Sequence, residues 1–225
     1  MDVYQTEEQQ VEAIQKFFKN NSKLILAVIV LSIVFIFGSA KFRDYRMSQK
    51  NQASDIYQAM VLSFSENDFA MVKSKADELF IDDYFRGYQT TPYPQLAALL
   101  LAKIAVTEND LEAAEQQLRK GIELAKSEDL TYHIAKVRLS RVLQATGHST
   151  EALAELSSHP DGYVPLYEQA KGDIFVAIND SEKAKAAYLK AVAALPSGYH
   201  SEELVLKLMD LGVADIQQAL RSEDV

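Results

Sequence analysis

The stretch EQAKGDIFVAINDSEKAKAAYLKAVAALP, residues 168–196, decides how most of this 225-residue chain folds. Two apolar-periodic segments flank Asn179-Asp180, and both are rich in residues that favour helix. Glu182 follows Asn179 by three residues, which is the spacing of a capping box, so we expect Asn179 to cap the second helix. Pro196 ends the pattern because proline lacks the N–H that would continue a helix. The stretch is therefore predicted to form a helical hairpin.

The same kind of turn recurs between other helical segments. Asn-Asp also stands at residues 67–68 and 109–110, and Gly147-His148-Ser149 fills the corresponding place between two further segments. The turns at residues 67, 109, 147 and 179 are 42, 38 and 32 residues apart, which is typical of stacked hairpins. We expect hairpins near residues 52–80, 94–126, 130–158 and 164–195, and a final helix near 201–221 that closes the stack.

The hairpin at residues 168–196 resembles the tetratricopeptide repeat. The matching small, aromatic and proline positions are Gly172, Phe175, Ala184, Tyr188, Ala191 and Pro196. In that family the position of Gly172 must be small so that the two helices can approach each other. Two earlier copies match less well, because Gly121 replaces a helix contact in one and His159-Pro160 shortens the second helix of the other. The resemblance implies an all-α solenoid of hairpins over residues 51–225.

Stacked hairpins of this kind curve, and the first helix of each hairpin lines the concave surface. The register of the repeat implies that four residues of each first helix face this groove. They are Leu96, Leu99, Lys103 and Val106, then Ile134, Val137, Arg141 and Gln144, then Leu166, Gln169, Asp173 and Val176. The predicted groove is mostly apolar with a few charges, which suits an extended or helical polypeptide. The alternative is that some of these side chains are buried between repeats.

A second stretch, KLILAVIVLSIVFIFGSAKFRDYR at residues 23–46, decides where the chain resides. Leu24 to Ala40 is uncharged over 17 residues. A helix of that length is about 26 Å long, close to the roughly 30 Å of a bilayer core. Phe42 and Tyr45 extend the segment to about residue 45 as interfacial aromatic residues. A soluble core helix would carry a polar stripe, which this stretch lacks. We therefore predict a transmembrane helix at residues 24–40.

A cleaved signal peptide is the alternative for this stretch, because Gly38-Ser39-Ala40 fits a cleavage site. Against it, 23 residues with four acidic groups precede the apolar run, whereas signal sequences begin with a short basic region. The orientation of an uncleaved helix is not decided by charge. Three basic residues precede the span and four follow it, which leans only slightly towards a cytoplasmic C-terminus under the positive-inside rule.

Composition narrows the classes of function. The net charge of −9 is uneven, because residues 1–50 carry +2 and residues 51–225 carry −11, and an acidic domain repels nucleic acid. The chain has no cysteine, which removes disulfides, thiol chemistry and the lipidated cysteine of a lipoprotein. Its four histidines share no metal-ligand spacing, and it has no phosphate-binding loop or nucleophile motif. We therefore expect a protein that binds partners, with no enzymatic activity, cofactor or metal.

The order of parts along the whole chain resembles the ancillary subunit of the bacterial Sec translocon, the YfgM family. The resemblance is sharpest near the N-terminus, in Tyr4, residues 7–14 and Lys16-Phe17-Phe18. It implies a cytoplasmic segment at residues 1–23, one inner-membrane helix at residues 24–40 and a periplasmic repeat domain at residues 51–225. This is a single-pass type II topology.

The same resemblance implies partners. They are the SecYEG translocon and PpiD, a membrane-anchored chaperone that resembles a prolyl isomerase, with a role in passing newly translocated proteins to periplasmic chaperones. A link to envelope stress regulation through the response regulator RcsB is also implied. The alternative is a membrane-tethered regulatory scaffold that sequesters a signalling protein of the RcsB type. The basic flank at residues 41–50 favours that alternative weakly.

Overall fold

A computed structural model describes residues 7–81 and 87–216 of the chain. Within these residues all regular structure is helical, so the predicted all-α class is confirmed. The chain divides into two compact units, Met1–Gln52 and Ala53–Val225. Helix α1, Glu7–Ser65, contributes residues to both units.

The first unit contains the apolar stretch predicted to cross a membrane. In the part of the chain that the structure describes, α1 is the one helix long and apolar enough for such a span by length and composition. Its large apolar side chains are exposed, for example Phe35 at 75% and Phe37 at 69%. A core helix would bury such side chains, so the exposure fits a helix surrounded by lipid. A signal sequence would show the same features.

The second unit is a series of helix pairs. The C-terminal part of α1 precedes α2, and each later pair lies within a hairpin range predicted from the sequence, except that α3 begins one residue earlier, at Tyr93. The elements are α2 Phe69–Phe80, α3 Tyr93–Thr107, α4 Leu111–Leu124, α5 Leu130–Ala145, α6 Ser149–Glu155, α7 Val164–Ala177, α8 Ser181–Ala193 and α9 Glu202–Asp210. Short 3₁₀ turns occur at Tyr88–Thr90 and Asp161–Tyr163. Helix α6 is short, as His159-Pro160 led us to expect.

The asparagines of the Asn-Asp turns end the first helix of each hairpin. Asn67, Asn109 and Asn179 have left-handed backbone with φ of 60°, 59° and 60°, and Gly147 has φ of 86°. At the last turn, Asp180 N–H donates to the Phe175 carbonyl at 2.9 Å, and Asn179 N–H donates to the Val176 carbonyl at 3.0 Å. These bonds form a Schellman motif, for which Asn and Gly are suited because they tolerate φ > 0.

The aspartate after each asparagine caps the second helix. Its carboxylate accepts the backbone N–H three residues later, in the pairs Asp68–Met71 at 3.0 Å, Asp110–Ala113 at 2.9 Å and Asp180–Lys183 at 3.2 Å. The prediction that Asn179 caps the second helix was therefore wrong by one residue. Aspartate takes the position because its charge also complements the positive end of the helix dipole.

Gly172 allows a close approach between α7 and α8, as the repeat resemblance implied. A Cβ atom built on Gly172 would clash with the Cε1 and Cδ1 atoms of the Tyr188 ring, and Tyr188 is only 2% exposed. Gly121 on α4 differs, because its Cβ would meet the Cβ of Ala98 at 3.5 Å, an ordinary contact. Packing therefore requires glycine at residue 172 and not at residue 121.

Helix α9 ends earlier than predicted. The sequence pattern indicated a helix to residue 221, but α9 stops at Asp210. Gly212 has φ of 83°, and Val213 N–H donates to the Leu208 carbonyl at 3.0 Å. This is another Schellman motif, and its left-handed glycine interrupts the helix. Residues 217–221 of the predicted helix lie outside the described residues.

The core of the second unit runs along the stack. One apolar cluster joins helices α3 to α7 and includes Leu118, Leu139, Leu143, Tyr167 and Ile174. Another joins α1, α2 and α3 through Met60, Val72, Leu79 and Ile104. A further cluster joins α8 to α9 through Tyr188, Leu189, Leu204 and Leu208. Helix α9 is thus packed onto the last hairpin by buried leucines.

Candidate functional site

A pocket of about 540 Å³ lies between α3, α4 and α5. Its lining combines an apolar floor with polar and basic side chains. The lining residues are Ala102, Lys103, Val106, Thr107, Leu111, Leu118, Arg138, Arg141, Val142 and Ala145. Of the residues predicted to face the groove, Lys103, Val106 and Arg141 therefore meet at this pocket.

These residues occupy corresponding places in their repeats. Lys103 stands six residues before Asn109, and Arg141 stands six residues before Gly147. Each side chain thus lies about 1.7 turns before the left-handed residue that ends its helix. The repeated register brings the two cations to one pocket, although 38 residues separate them in the chain.

Leu99 and Val137 were also predicted to face the groove, but their side chains belong to the core. They are 7% and 3% exposed and lie in the cluster that joins α3 to α7. Their register position, ten residues before the turn, faces neighbouring helices. Ile134 and Leu166 are partly buried against the same cluster, and Leu96 and Gln144 are also partly buried. A charged substitution at Leu99 or Val137 would therefore disturb packing before it tested a binding surface.

Two of the four predicted groove residues of α7, Gln169 and Asp173, contact α9. The Gln169 side-chain amide donates to Glu203 Oε1 at 2.7 Å, and Lys207 Nζ donates to Asp173 Oδ1 at 2.6 Å. Lys207 also pairs with Glu203 at 2.8 Å. We call Gln169, Asp173, Glu203 and Lys207 the α9 clasp. Val176, the remaining predicted residue of α7, is 44% exposed.

The charges of the α9 clasp stabilise one another. Burial acts to lower the pKa of Lys207, but hydrogen bonds to Asp173 and Glu203 outweigh it and raise that pKa overall. The hydrogen bond from Lys207 is the main reason that the pKa of Glu203 is lowered. Tyr188 donates its hydroxyl to Asp173 at 2.8 Å, and burial and this bond raise the pKa of Tyr188. Lys207 and Glu203 are therefore both charged at neutral pH.

Arg138 was not predicted from the sequence, although it lines the pocket. It stands one helical turn before Arg141, on α5, and is exposed. Residue 138 is not among the positions of α5 that the repeat register places in the groove. The only sequence signal for its presence in the pocket was therefore the i, i+3 spacing of Arg138 and Arg141. Leu111 and Leu118 were missed for a different reason, because they come from α4, which the register places behind the groove.

A separate polar cluster lies where the loops before α5 and α7 meet, beside a pocket of about 570 Å³. His133 is 2% exposed, its Nδ1 lies 2.8 Å from the Tyr167 hydroxyl, and its ring stacks on Tyr163 with centroids 3.7 Å apart. Burial lowers the pKa of His133, so its imidazole is neutral at neutral pH. Among residues 7–81 and 87–216, no three His, Asp or Glu side chains converge as metal ligands would.

The fold and pocket define a helical-repeat protein with a long apolar N-terminal helix. The chain belongs to the tetratricopeptide repeat-like domain family, whose model matches residues 15–213. No solved structure matches the chain.

Curated relatives match along most of the chain, and all three described here bear the name Ancillary SecYEG translocon subunit. The protein of Escherichia coli (strain K12) is 26% identical over 214 residues, which cover 95% of this chain and 100% of the relative. That of Haemophilus influenzae is 27% identical over 203 residues, 90% of this chain and 95% of the relative. That of Neisseria gonorrhoeae is 25% identical over 215 residues, 93% and 99% of the two chains. The whole-chain resemblance is confirmed, and these relatives together with the apolar helix fit an inner-membrane protein.

Proposed function

We propose that this protein is a non-enzymatic, membrane-anchored adaptor at the SecYEG translocon. The observation that carries the proposal is the similarity, along 95% of this chain, to an Escherichia coli protein named Ancillary SecYEG translocon subunit. The relatives are named as subunits of a translocon and not as enzymes. The exposed apolar side chains of α1 supply the anchor that such a function needs.

In this proposal residues 1–23 are cytoplasmic, residues 24–40 span the inner membrane and residues 51–225 form a periplasmic domain. An adaptor that receives translocated chains must present its binding domain on the side where they emerge. A chain that leaves the translocon exposes apolar segments that are prone to aggregate before it folds. The pocket, with exposed Val106 at its mouth, offers such segments a transient site, from which they pass to a periplasmic chaperone of the PpiD type.

Cysteine labelling tests the orientation. The chain has no cysteine, and Ser127 is exposed in the connection between α4 and α5, so Ser127→Cys introduces a single accessible thiol. Cells with a permeabilised outer membrane are treated with a membrane-impermeant maleimide before and after lysis. Labelling before lysis is expected. Gln15→Cys, exposed near the start of α1, is the reciprocal control and should react only after lysis. Labelling of Ser127→Cys only after lysis would contradict the proposal and favour a cytoplasmic scaffold that sequesters a signalling protein of the RcsB type.

Co-purification tests the translocon assignment. The full chain, tagged and extracted in mild detergent, is expected to recover SecYEG, and recovery should survive substitution of the exposed pocket residue Val106 by Asp. The control is an unrelated inner-membrane protein with one transmembrane helix and the same tag. If the repeat domain is periplasmic but the tagged chain recovers no more SecYEG than this control, the chain is not a translocon subunit.

A further inference from the structure

We propose that the pocket between α3, α4 and α5 binds an acidic amphipathic polypeptide segment. The segment places a large apolar side chain on the pocket floor and carboxylates against a rim formed by Lys103, Arg138 and Arg141. The inference rests on the proposed function, in which the repeat domain binds polypeptide, and it adds the chemistry of the segment.

The floor of the pocket is built to receive an apolar side chain. Leu118 and Val142 are 1% and 6% exposed and form its buried floor, whereas Val106 is 48% exposed at the mouth. The volume of about 540 Å³ lies in the range of sites that hold small ligands or a few side chains. Burying exposed apolar surface supplies affinity but no preference for one apolar partner over another.

The rim supplies the preference, because every charged residue that lines the pocket is basic. Within residues 7–81 and 87–216, neither Arg138 nor Lys103 makes an ion pair, and Lys103 Nζ lies 4.8 Å from the centroid of the Phe64 ring. Arg141 lies 3.6 Å from Asp173 with its side chain 52% exposed, so its guanidinium keeps free donors. Arginine forks bind carboxylates through paired hydrogen bonds.

The charge of the surrounding domain sharpens this preference. Residues 51–225 carry a net charge of −11, so an acidic segment is repelled from most of the domain and attracted at the rim. An anionic membrane surface is the other acidic partner to consider. The same net charge repels a flat anionic surface as a whole, while a peptide can place single side chains in a recessed pocket. The observations therefore favour a peptide.

The repeat itself provides a control site. Val176 on α7 stands three residues before Asn179, as Val106 stands three before Asn109, and the two are 44% and 48% exposed. Only Val106 lines the pocket. Lys185 on α8 offers a matched cation, because it lies outside the pocket and pairs with Glu182 at 2.9 Å.

Peptide binding to the full chain tests the inference. The protein is placed in nanodiscs of zwitterionic lipid, and fluorescence anisotropy follows a labelled peptide of about 15 residues with apolar residues at i, i+3, i+4 and i+7 and Asp or Glu elsewhere. A peptide with Lys in place of every acid is the charge control. The acidic peptide is expected to bind saturably. Arg138→Glu and Val106→Asp should each weaken it by about tenfold or more. Lys185→Glu and Val176→Asp should change binding by less than about twofold.

Circular dichroism of each variant checks that helix content is unchanged, and Val106→Thr serves as a milder second variant. Equal binding of the acidic and basic peptides would overturn the inference. So would equal losses in Arg138→Glu and Lys185→Glu. If the acidic peptide does not bind, but nanodiscs containing phosphatidylglycerol bind the domain and Arg138→Glu weakens that binding, the rim binds lipid. That result would also overturn the inference. Absence of peptide binding together with intact SecYEG recovery would overturn only this inference, whereas loss of SecYEG recovery concerns the proposed function.

Discussion

Lys103 on α3 and Asp173 on α7 stand six residues before equivalent turns, yet their surroundings differ. Lys103 lines a pocket together with Arg141, which holds the same place on α5. Asp173 accepts hydrogen bonds from Lys207 of α9 and from Tyr188. The predicted groove therefore has a pocket end at α3–α5 and a covered end at α7–α9.

The difference shows that one repeat register leads to different surfaces according to its neighbours. The last hairpin of a stack needs a cap, because no further repeat covers its apolar face. Helix α9 provides the cap through buried Leu204 and Leu208, and an acid at residue 173 allows Lys207 to pair with it. A lysine at that position would repel Lys207. Charge at a single repeat position thus distinguishes the covered end from the pocket end.

The largest loss of stability is expected when the packing of α9 onto the last hairpin is weakened. Leu208 is fully buried, so Leu208→Ala is expected to destabilise the repeat domain by about 2–5 kcal/mol through lost contacts and a cavity. Leu206, on the same helix and 61% exposed, is the control, and Leu206→Ala should change stability by less than about 0.5 kcal/mol. Urea unfolding of the full chain in detergent, followed by circular dichroism, gives both values. Similar losses in both variants would show that α9 is not packed as described.

A smaller effect is expected from glycine substitutions at the two ends. Gly172→Ala is expected to cost about 1–3 kcal/mol, because the added methyl group meets the Tyr188 ring. Gly121→Ala should be neutral or stabilising by up to about 1 kcal/mol, because its Cβ has room and alanine favours helix. The same urea titration measures both. A tolerated Gly172→Ala would contradict the close approach of α7 and α8.

The smallest effect concerns the charges of the α9 clasp. Lys207→Met should cost about 1–2 kcal/mol through loss of its charged hydrogen bonds, whereas Arg141→Met should cost less than about 0.5 kcal/mol because its contact with Asp173 is long and exposed. The raised pKa of Lys207 confers stability that is lost only as pH rises through that pKa. The lowered pKa of Glu203 confers stability that is lost only as pH falls through it.

The cost of Lys207→Met should therefore stay constant between about pH 5 and pH 9, the window between the ordinary carboxyl and lysine pKa values. Urea titrations of both proteins at several pH values check this. A cost that disappears near neutral pH would show that the clasp does not act through these charges.

Local sequence was sufficient for the hairpins and the apolar helix. Turn residues such as Asn179-Asp180 and the 3.6-residue periodicity act within one or two helical turns, so they predict where helices begin and end. Even here the N-cap of the second helix was predicted one residue too early. Asn and Asp both favour the N-cap position, and only the left-handed backbone at residue 179 shows that the cap is the residue after it. Gly172 was predicted correctly because the repeat pattern includes the partner that it contacts.

The binding surface required the tertiary structure. Leu99 and Val137 fit the groove register as well as Val106 does, but neighbouring helices bury the first two and leave the third exposed. Arg138 joins the pocket from outside that register. The sequence by itself determined an all-helical repeat chain with an apolar N-terminal helix, because those features depend on residues close together in the chain. Only the tertiary structure decided which part of the predicted groove forms a pocket and which part α9 covers, because both depend on contacts between residues more than 30 positions apart.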